Sequence, residues 1–258
     1  YDALSADYSH SLPGGGSTGF SPDFRQHQFG ATFGGPLVRD KAFFFMAYDQ
    51  QEYNDTKQTT RLSLIDPALV SFTNTAFGGV LAGDFGPISR TNDANAFLGK
   101  LDFRLSQKHT ASLKYNYTRS SQENGTFDVD TWGRSANALE QDHSHAVNGS
   151  LTSLFSSALS NEFRFQVARE DRPRPYTGPI NPASGRPFPD TDVRFVGPDG
   201  FAGYRIGMPF FIPLQTAYDY RFQVLDNISL LRGNHLFKFG AEWNRTGVNQ
   251  TFLGFGNG

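Results

Sequence analysis

RQHQFGATFGGPLVRDKAFFFMAYDQQEY, residues Arg25 to Tyr53, decides how the chain is read. Phe29, Ala31, Phe33, Gly35 and Leu37 fall on one parity, and Gln28, Gly30, Thr32, Gly34 and Pro36 on the other. A period of two with one oily face is the signature of a β-strand. Val38-Arg39-Asp40-Lys41 is a polar break suited to a tight turn. A second extended run, Phe43 to Tyr53, is dense in aromatic residues that favour strands. Two such runs joined by a few polar residues predict an antiparallel hairpin.

The same grammar recurs three times. Phe97, Gly99, Leu101, Phe103 and Leu105 alternate with Leu98, Lys100, Asp102, Arg104 and Ser106. After a turn at Gln107-Lys108, Ala111, Leu113, Tyr115 and Tyr117 alternate with Ser112, Lys114, Asn116 and Thr118. Val147, Gly149, Leu151 and Phe155 give a weaker strand. A break at Ser156-Ser157-Ala158 leads to Phe163, Phe165 and Val167, set against Glu162, Arg164 and Gln166. The last hairpin runs from Tyr218 through Tyr220, Phe222, Val224, Ile228 and Leu230 to a turn at Arg232-Gly233-Asn234. It returns through Phe237, Phe239, Ala241 and Trp243. Asp226 alone breaks the pattern by falling on the apolar parity, which a bulge or a site near a membrane edge would accommodate.

About eight strands in four hairpins follow, with arms of about ten residues, the length at which a tilted strand crosses a bilayer. Short turns near 39, 107, 157 and 233 alternate with long connections at 54–94, 122–142 and 173–215. Residues 1–24 read as a Gly-rich loop, and Pro67-Ala68-Leu69-Val70 as one helical turn. The third connection is rich in proline, which disfavours regular sheet. Short turns on one side and long loops on the other are the asymmetry of outer-membrane barrels. The expected fold is therefore all-β: an antiparallel transmembrane β-barrel section of about eight strands with long extracellular loops.

Composition agrees. The 258 residues include 26 Phe, 27 Gly and no Cys, and only 19% are charged. A mean hydropathy of -0.45 fits a wall in which alternate residues face lipid. No apolar run is long enough for a transmembrane helix. A net charge of -2 gives no nucleic-acid footprint, so no nucleic acid is expected as a partner. Tyr1 is not preceded by a signal peptide and the chain ends in Gly254-Phe255-Gly256-Asn257-Gly258, so it is expected to be a fragment of a longer protein.

The polar parity holds the candidate lumen-facing residues Lys100, Asp102, Arg104, Lys114, Glu162, Arg164, Arg221, Lys238 and Glu242. Their mixed signs predict cross-strand pairs. On the lipid side each Lys or Arg would cost about 2–4 kcal/mol at the midplane. Tyr48, Tyr115, Tyr117, Tyr218, Tyr220 and Trp243 are assigned to the long-loop ends of their strands, as an aromatic girdle at the headgroup level.

Chemistry-bearing motifs are few. His143 and His145 share a strand face with no obvious third metal ligand, and a solvated rim is the preferred reading. Asp128-Val129-Asp130 and Asp190-Thr191-Asp192 lack the rest of a Ca²⁺ loop. Gly15-Gly16-Ser17-Thr18-Gly19 has neither the strand before nor the helix after that a nucleophile elbow needs. No catalytic residue, metal site or cofactor is expected, and no enzyme.

FGATFGGPLVRDKAFFFMAYDQQ resembles the segment after the plug domain in TonB-dependent outer-membrane receptors, most of all the Oar-like receptors of acidobacteria. Phe29, Gly30, Phe33, Gly34, Gly35, Pro36, Asp40, Lys41, Phe43, Phe44 and Phe45 carry the likeness, with Ala31 where that family often has glycine. Leu225 to Trp243 is similar to the family in its Asp-Asn-x-Ser and Arg-Gly-x-His-x-x-Lys-Phe-Gly pattern. The resemblance implies the N-terminal part of a barrel of about 22 strands. It implies import of a scarce solute past a plug, with energy relayed by the TonB complex through segments outside this chain. Expected partners are outer-membrane lipid, the protein's own plug, the TonB complex and an unknown solute, in a Gram-negative-type outer membrane. Two alternatives stand beside it. A small closed barrel acting as adhesin or anchor would pair the first strand with the eighth. A soluble β-sandwich binding module would bury the oily faces, including Phe103, Leu113, Phe165 and Phe239, against each other.

Overall fold

The computed structural model describes residues 8–11, 17–20, 25–57, 67–79, 84, 87–124, 132–197, 200–212, 214–216 and 218–252. In chain order the elements are β1 (Tyr8–Ser11), β2 (Ser17–Phe20), β3 (Arg25–Val38), β4 (Ala42–Lys57), α1 (Pro67–Ala76), β5 (Ile88–Arg104), β6 (His109–Glu123), β7 (Leu139–Leu154) and β8 (Leu159–Asp171). They continue with β9 (Ile180–Asn181), β10 (Arg186–Pro187), β11 (Thr191–Gly197), β12 (Gly200–Ile206), β13 (Leu214–Thr216), β14 (Asp219–Arg232), β15 (His235–Gly247) and β16 (Gln250–Phe252). One antiparallel sheet orders eight of them β15-β14-β8-β7-β6-β5-β4-β3. The fold is all-β, a meander of four hairpins in the predicted places.

Local chemistry closes each hairpin. The first turns at Asp40, which takes a left-handed φ of 60°, and the last at Gly233 with the same φ. In the two middle hairpins a turn serine, Ser106 or Ser156, accepts the N–H two residues on, from Lys108 at 3.1 Å and Ala158 at 3.2 Å. Pro36 has no N–H to give, and just beyond it the β3–β4 register shifts, leaving Leu37 unpaired. Asp226 sits in an unbroken ladder, so no bulge accommodates it. The Asn161 Nδ2 donates to its carboxylate at 2.6 Å instead.

The strands are offset, and the offset is regular. In the row Tyr48–Phe97–Tyr117–His145–Arg169–Tyr220–Gly247 each residue lies directly opposite the next. Counted from this row to the strand end at the short turn, the interval is six residues in β4, then seven, eight, nine and ten, and twelve in β14 and β15. That is about one residue of stagger per strand. With about 3.3 Å per residue and about 4.8 Å between strands, the strands lean by about 35° from the normal to the line of short turns. Outer-membrane barrels tilt their strands by about 35–45°.

The strands run 13 to 17 residues, longer than the expected ten. Pairing continues where alternation ends, because polar side chains such as Glu52 on the β3 side and Asn92 and Gln122 between β5 and β6 extend the ladder as readily as apolar ones. The connections are also more structured than expected. Residues 67–76 form a helix of ten residues rather than one turn. The 1–24 segment, expected as a loop, contains the β1–β2 ladder, and the proline-rich 173–215 segment contains the small ladders β9–β10 and β11–β12. None of these joins the large sheet. They satisfy their own backbone groups locally.

Among the described residues no second sheet covers the oily face. Leu113 is 42% and Phe239 63% exposed, and Phe103 and Phe165 are half-exposed, which excludes the sandwich. Within the described residues β3 pairs only with β4 and β15 only with β14, so the eight strands do not close on themselves.

Glycine spacing in the first hairpin follows from contact. A Cβ on Gly34 would stand 2.9 Å from the Phe44 carbonyl oxygen, whereas one on Gly35 would meet only the Phe44 ring at 3.9 Å. Gly34→Val is therefore expected to lower stability by about 1–3 kcal/mol through overpacking against backbone. Gly35→Val should stay within about 0.5 kcal/mol. Urea unfolding of the detergent-solubilised protein, followed by tryptophan fluorescence, checks the contrast.

Candidate functional site: a polar wall beneath a packed loop cap

The register places all nine candidate lumen-facing residues on one side of the sheet. Lys100 stands opposite Lys114, Arg164 opposite Leu225 and Ser150, Glu162 opposite Asn227 and Thr152, and Leu225 opposite Glu242. Asp102, Arg104, Arg221 and Lys238 follow by parity in the same ladders. This side is concave. A depression of about 480 Å³ opens on it across five strands, lined among others by Lys100, Lys114, Asn148, Glu162, Arg164 and Gln223. Two more, of about 430 and 550 Å³, open mainly on the same side.

The charges pair differently from expectation. Lys100 Nζ lies 2.9 Å from Asp102 Oδ2, and Arg164 Nε donates to Glu162 Oε1 at 2.9 Å. Both pairs run along a strand, not across strands. Turn geometry and the apolar pattern set the register, and that register puts Lys100 against Lys114, so the partner within reach is two residues along. Links with one charged partner do cross strands, since Gln223 Nε2 donates to Glu242 Oε1 at 2.6 Å and Arg221 Nε to Asn244 Oδ1 at 3.3 Å, and outside the nine Arg90 pairs with Asp55 directly opposite.

The opposite, convex side carries the aromatics. Tyr48, Tyr117 and Tyr220 share one cross-strand row with Phe97, and Tyr115 and Trp243 lie one and two rows nearer the short turns. Tyr218 just precedes β14. Only Tyr218 and Tyr220 stand at strand ends. Tyr48, Tyr115, Tyr117 and Trp243 are interior to strands that continue past them as polar extensions. His143 and His145 lie on this convex side too, and Tyr115 Oη is 2.8 Å from His145 Nδ1.

Sequence reasoning missed the cap. Apart from Ala42 and Ile88, the buried apolar side chains among the described residues all lie in the long connections. Trp132, Ala136, Ala138, Met208, Phe211 and Ile212 form one cluster, with Trp132 stacked on Phe211 at 5.8 Å. Phe77 meets Phe188 edge-on at 5.0 Å, tying the first connection to the third.

Asp84, from the first connection, accepts the Ser135 backbone N–H and, at 2.8 Å, its hydroxyl. The Ser135 Oγ in turn accepts the Gly207 N–H at 2.9 Å, and Tyr176 Oη donates to the Ser135 carbonyl at 2.9 Å. Burial raises the Asp84 carboxyl above its usual value, and burial beside Asp84 raises the Tyr176 phenol. Spacing gave no signal for this, because the partners lie 51 and 72 residues apart.

Of the acidic pairs weighed as Ca²⁺ ligands, Asp190 holds Arg205 at 2.8 Å and Asp192 holds Arg194 at 2.7 Å. Asp128 and Asp130 lie outside the described residues.

Two overlapping stretches, residues 7–86 and 73–258, match the family described as outer membrane beta barrel domain. The chain belongs to that family. No curated protein matches it. The oily convex side, the leaning strands and the unequal turns are thus those of an outer-membrane barrel protein, whose station is the outer membrane.

Asp84→Ala would strand the Ser135 donors inside the cap, at about 1–3 kcal/mol. Faster cleavage in the long connections under limited proteolysis, with the sheet intact, is the expected outcome. The pH dependence has a definite sign. A carboxyl whose folded pKa is raised stabilises the cap most at low pH, and that contribution is lost as pH rises through the raised value. Asp84→Asn is expected to flatten the dependence.

Proposed function

We propose that this outer-membrane barrel section is part of the wall of a TonB-dependent receptor of the Oar-like type, importing a scarce solute in a Gram-negative-type cell. The observation that carries the reading is a polar, hollowed inner wall on a sheet that does not close. In lipid every backbone group needs a partner, so edges like those of β3 and β15 must pair with further strands. A barrel of about eight strands fills its interior with side chains. Depressions of several hundred Å³ on the concave side suit a wider barrel with a lumen.

The likeness carried by Phe29 to Phe45 and Leu225 to Trp243 supplies the family, with its plug and TonB contact outside this chain. In this reading Lys100, Asp102, Arg104, Lys114, Glu162, Arg164, Arg221, Lys238 and Glu242 face the lumen and the plug. The three long connections face the cell exterior and make first contact with the solute. Transport needs no bond-making chemistry from these residues.

The face assignment is checked by cysteine labelling, since the chain has no cysteine of its own. In intact outer membranes Ser112→Cys is expected to react with a water-soluble maleimide and Ala111→Cys to stay shielded by lipid. The transport reading is checked with the full-length protein and the purified periplasmic domain of TonB. Retention on immobilised TonB supports it, and failure to bind, or recovery of the protein in the soluble periplasm, removes it.

A further inference from the structure

The convex side carries a cluster of bases at one height. Arg119 lies ten residues from its short-turn strand end, His143 eleven, His145 nine and Arg169 ten. At a lean of about 35°, ten residues rise about 27 Å, just beyond the ~25 Å apolar band of an outer-membrane barrel. Between the short turns and this line, the convex side of the described sheet holds no Lys or Arg except Arg232 at the last short turn and Arg245, which stands at the line on β15, and Asp226 is its one acid.

The four bases occupy three adjacent strands. Arg119 is directly opposite His143, and His145 directly opposite Arg169. Tyr117 shares their row and packs on His145 at 4.9 Å. Arg169 lies over the Tyr218 ring, 4.2 Å from its centroid, which leaves its N–H edge free of carboxylate. The nearby acids are already engaged: Asp171, opposite His143, has a partner, and Asp93 accepts the Tyr53 N–H at 3.3 Å. His143 Nε2 is buried without a hydrogen-bond partner among the described residues. Two exposed guanidiniums above an aromatic row, flanked by His143 and by a His145 already paired with the Tyr115 hydroxyl, are donors in search of an acceptor. At headgroup level that acceptor is phosphate, which arginine binds with a planar fork.

We infer that Arg119, Arg169, His143 and His145 form a site for the phosphate headgroup of a membrane lipid, in the leaflet away from the short turns. The inference rests on the convex side facing lipid. Its test uses the protein purified from outer membranes in detergent, with native mass spectrometry counting retained phosphatidylglycerol and phosphatidylcholine. The wild type is expected to retain phosphatidylglycerol at least ten-fold better than Arg119→Gln/Arg169→Gln. The loop variant Arg186→Gln should stay within about three-fold of wild type, and Arg119→Lys/Arg169→Lys, which keeps the charge but loses the fork, should retain less than wild type and more than the Gln variant. Phosphatidylcholine should bind weakly to all.

Unchanged phosphatidylglycerol retention in the Gln variant overturns the site. Displacement of the lipid by equimolar inorganic phosphate overturns the lipid assignment. Heat-modifiable migration of each variant separates these outcomes from a failed barrel, because a wild type that does not shift on heating defeats the barrel reading itself.

Discussion

The backbone hydrogen-bond ladder constrains everything else in this molecule. Hydrocarbon offers no partner to an N–H or C=O, so a wall inside it is possible only where each strand is paired along the membrane-crossing length. The antiparallel ladders of the large sheet meet that condition for six strands completely and for β3 and β15 on one side. The one-residue stagger is the form the condition takes in a curved wall. Leaning strands let the sheet roll while the short turns stay level. Face polarity then follows from the pleat. Once Leu101 and Leu113 turn outward together, Lys100 and Lys114 turn inward together, at the cost of setting two like charges opposite one another.

Alternation made the hairpins readable because it is a local, repeated signal that register must respect. Phe97 to Thr118 shows it at its clearest, and the strands pair there as the pattern demands. The triple Phe shows its limit. Phe44 joins the convex side while Phe43 and Phe45 lie opposite Asp102 and Lys100 on the concave one, so a run of identical residues hides which face it serves. Strand length was hidden for a related reason. Above Tyr48 the chain stops alternating, yet pairing resumes through Asn54, Asp55 and Thr56, since the ladder needs only backbone. Ion pairs were hidden because parity fixes the side of a residue but not which neighbour lies within reach, and Lys100 found Asp102 on its own strand.

The cap was illegible on different grounds. Its contacts join Asp84, Ser135, Tyr176 and Gly207 across three connections with no periodic pattern, and composition alone marked those stretches as loops. Among the described residues it is the part that folds as a water-soluble protein does. The sheet exposes its oily residues because lipid will cover them. The connections stand in water, so Trp132, Met208, Phe211 and Ile212 gather with each other, with buried polar groups hydrogen-bonded among them.

Two solvents thus act on one chain, and the boundary between them is written on the convex side. Below the row of Tyr48, Phe97, Tyr117 and Tyr220 stand Leu113, Val147, Phe165, Val167 and Val224. One row above it stand Gln50, Asn95, Arg119, His143 and Asp171. Eight residues separate Tyr117 from the start of its strand, a rise of about 22 Å at the observed lean, close to the apolar thickness such walls present. The same tilt that lets the sheet curve therefore also sets where along each strand the sequence must change from oily to wet. With the short turns level and the strands leaning alike, a level boundary meets each strand at about the same count from its short turn, so it cuts across the hydrogen-bonded rows, which climb by about one residue per strand.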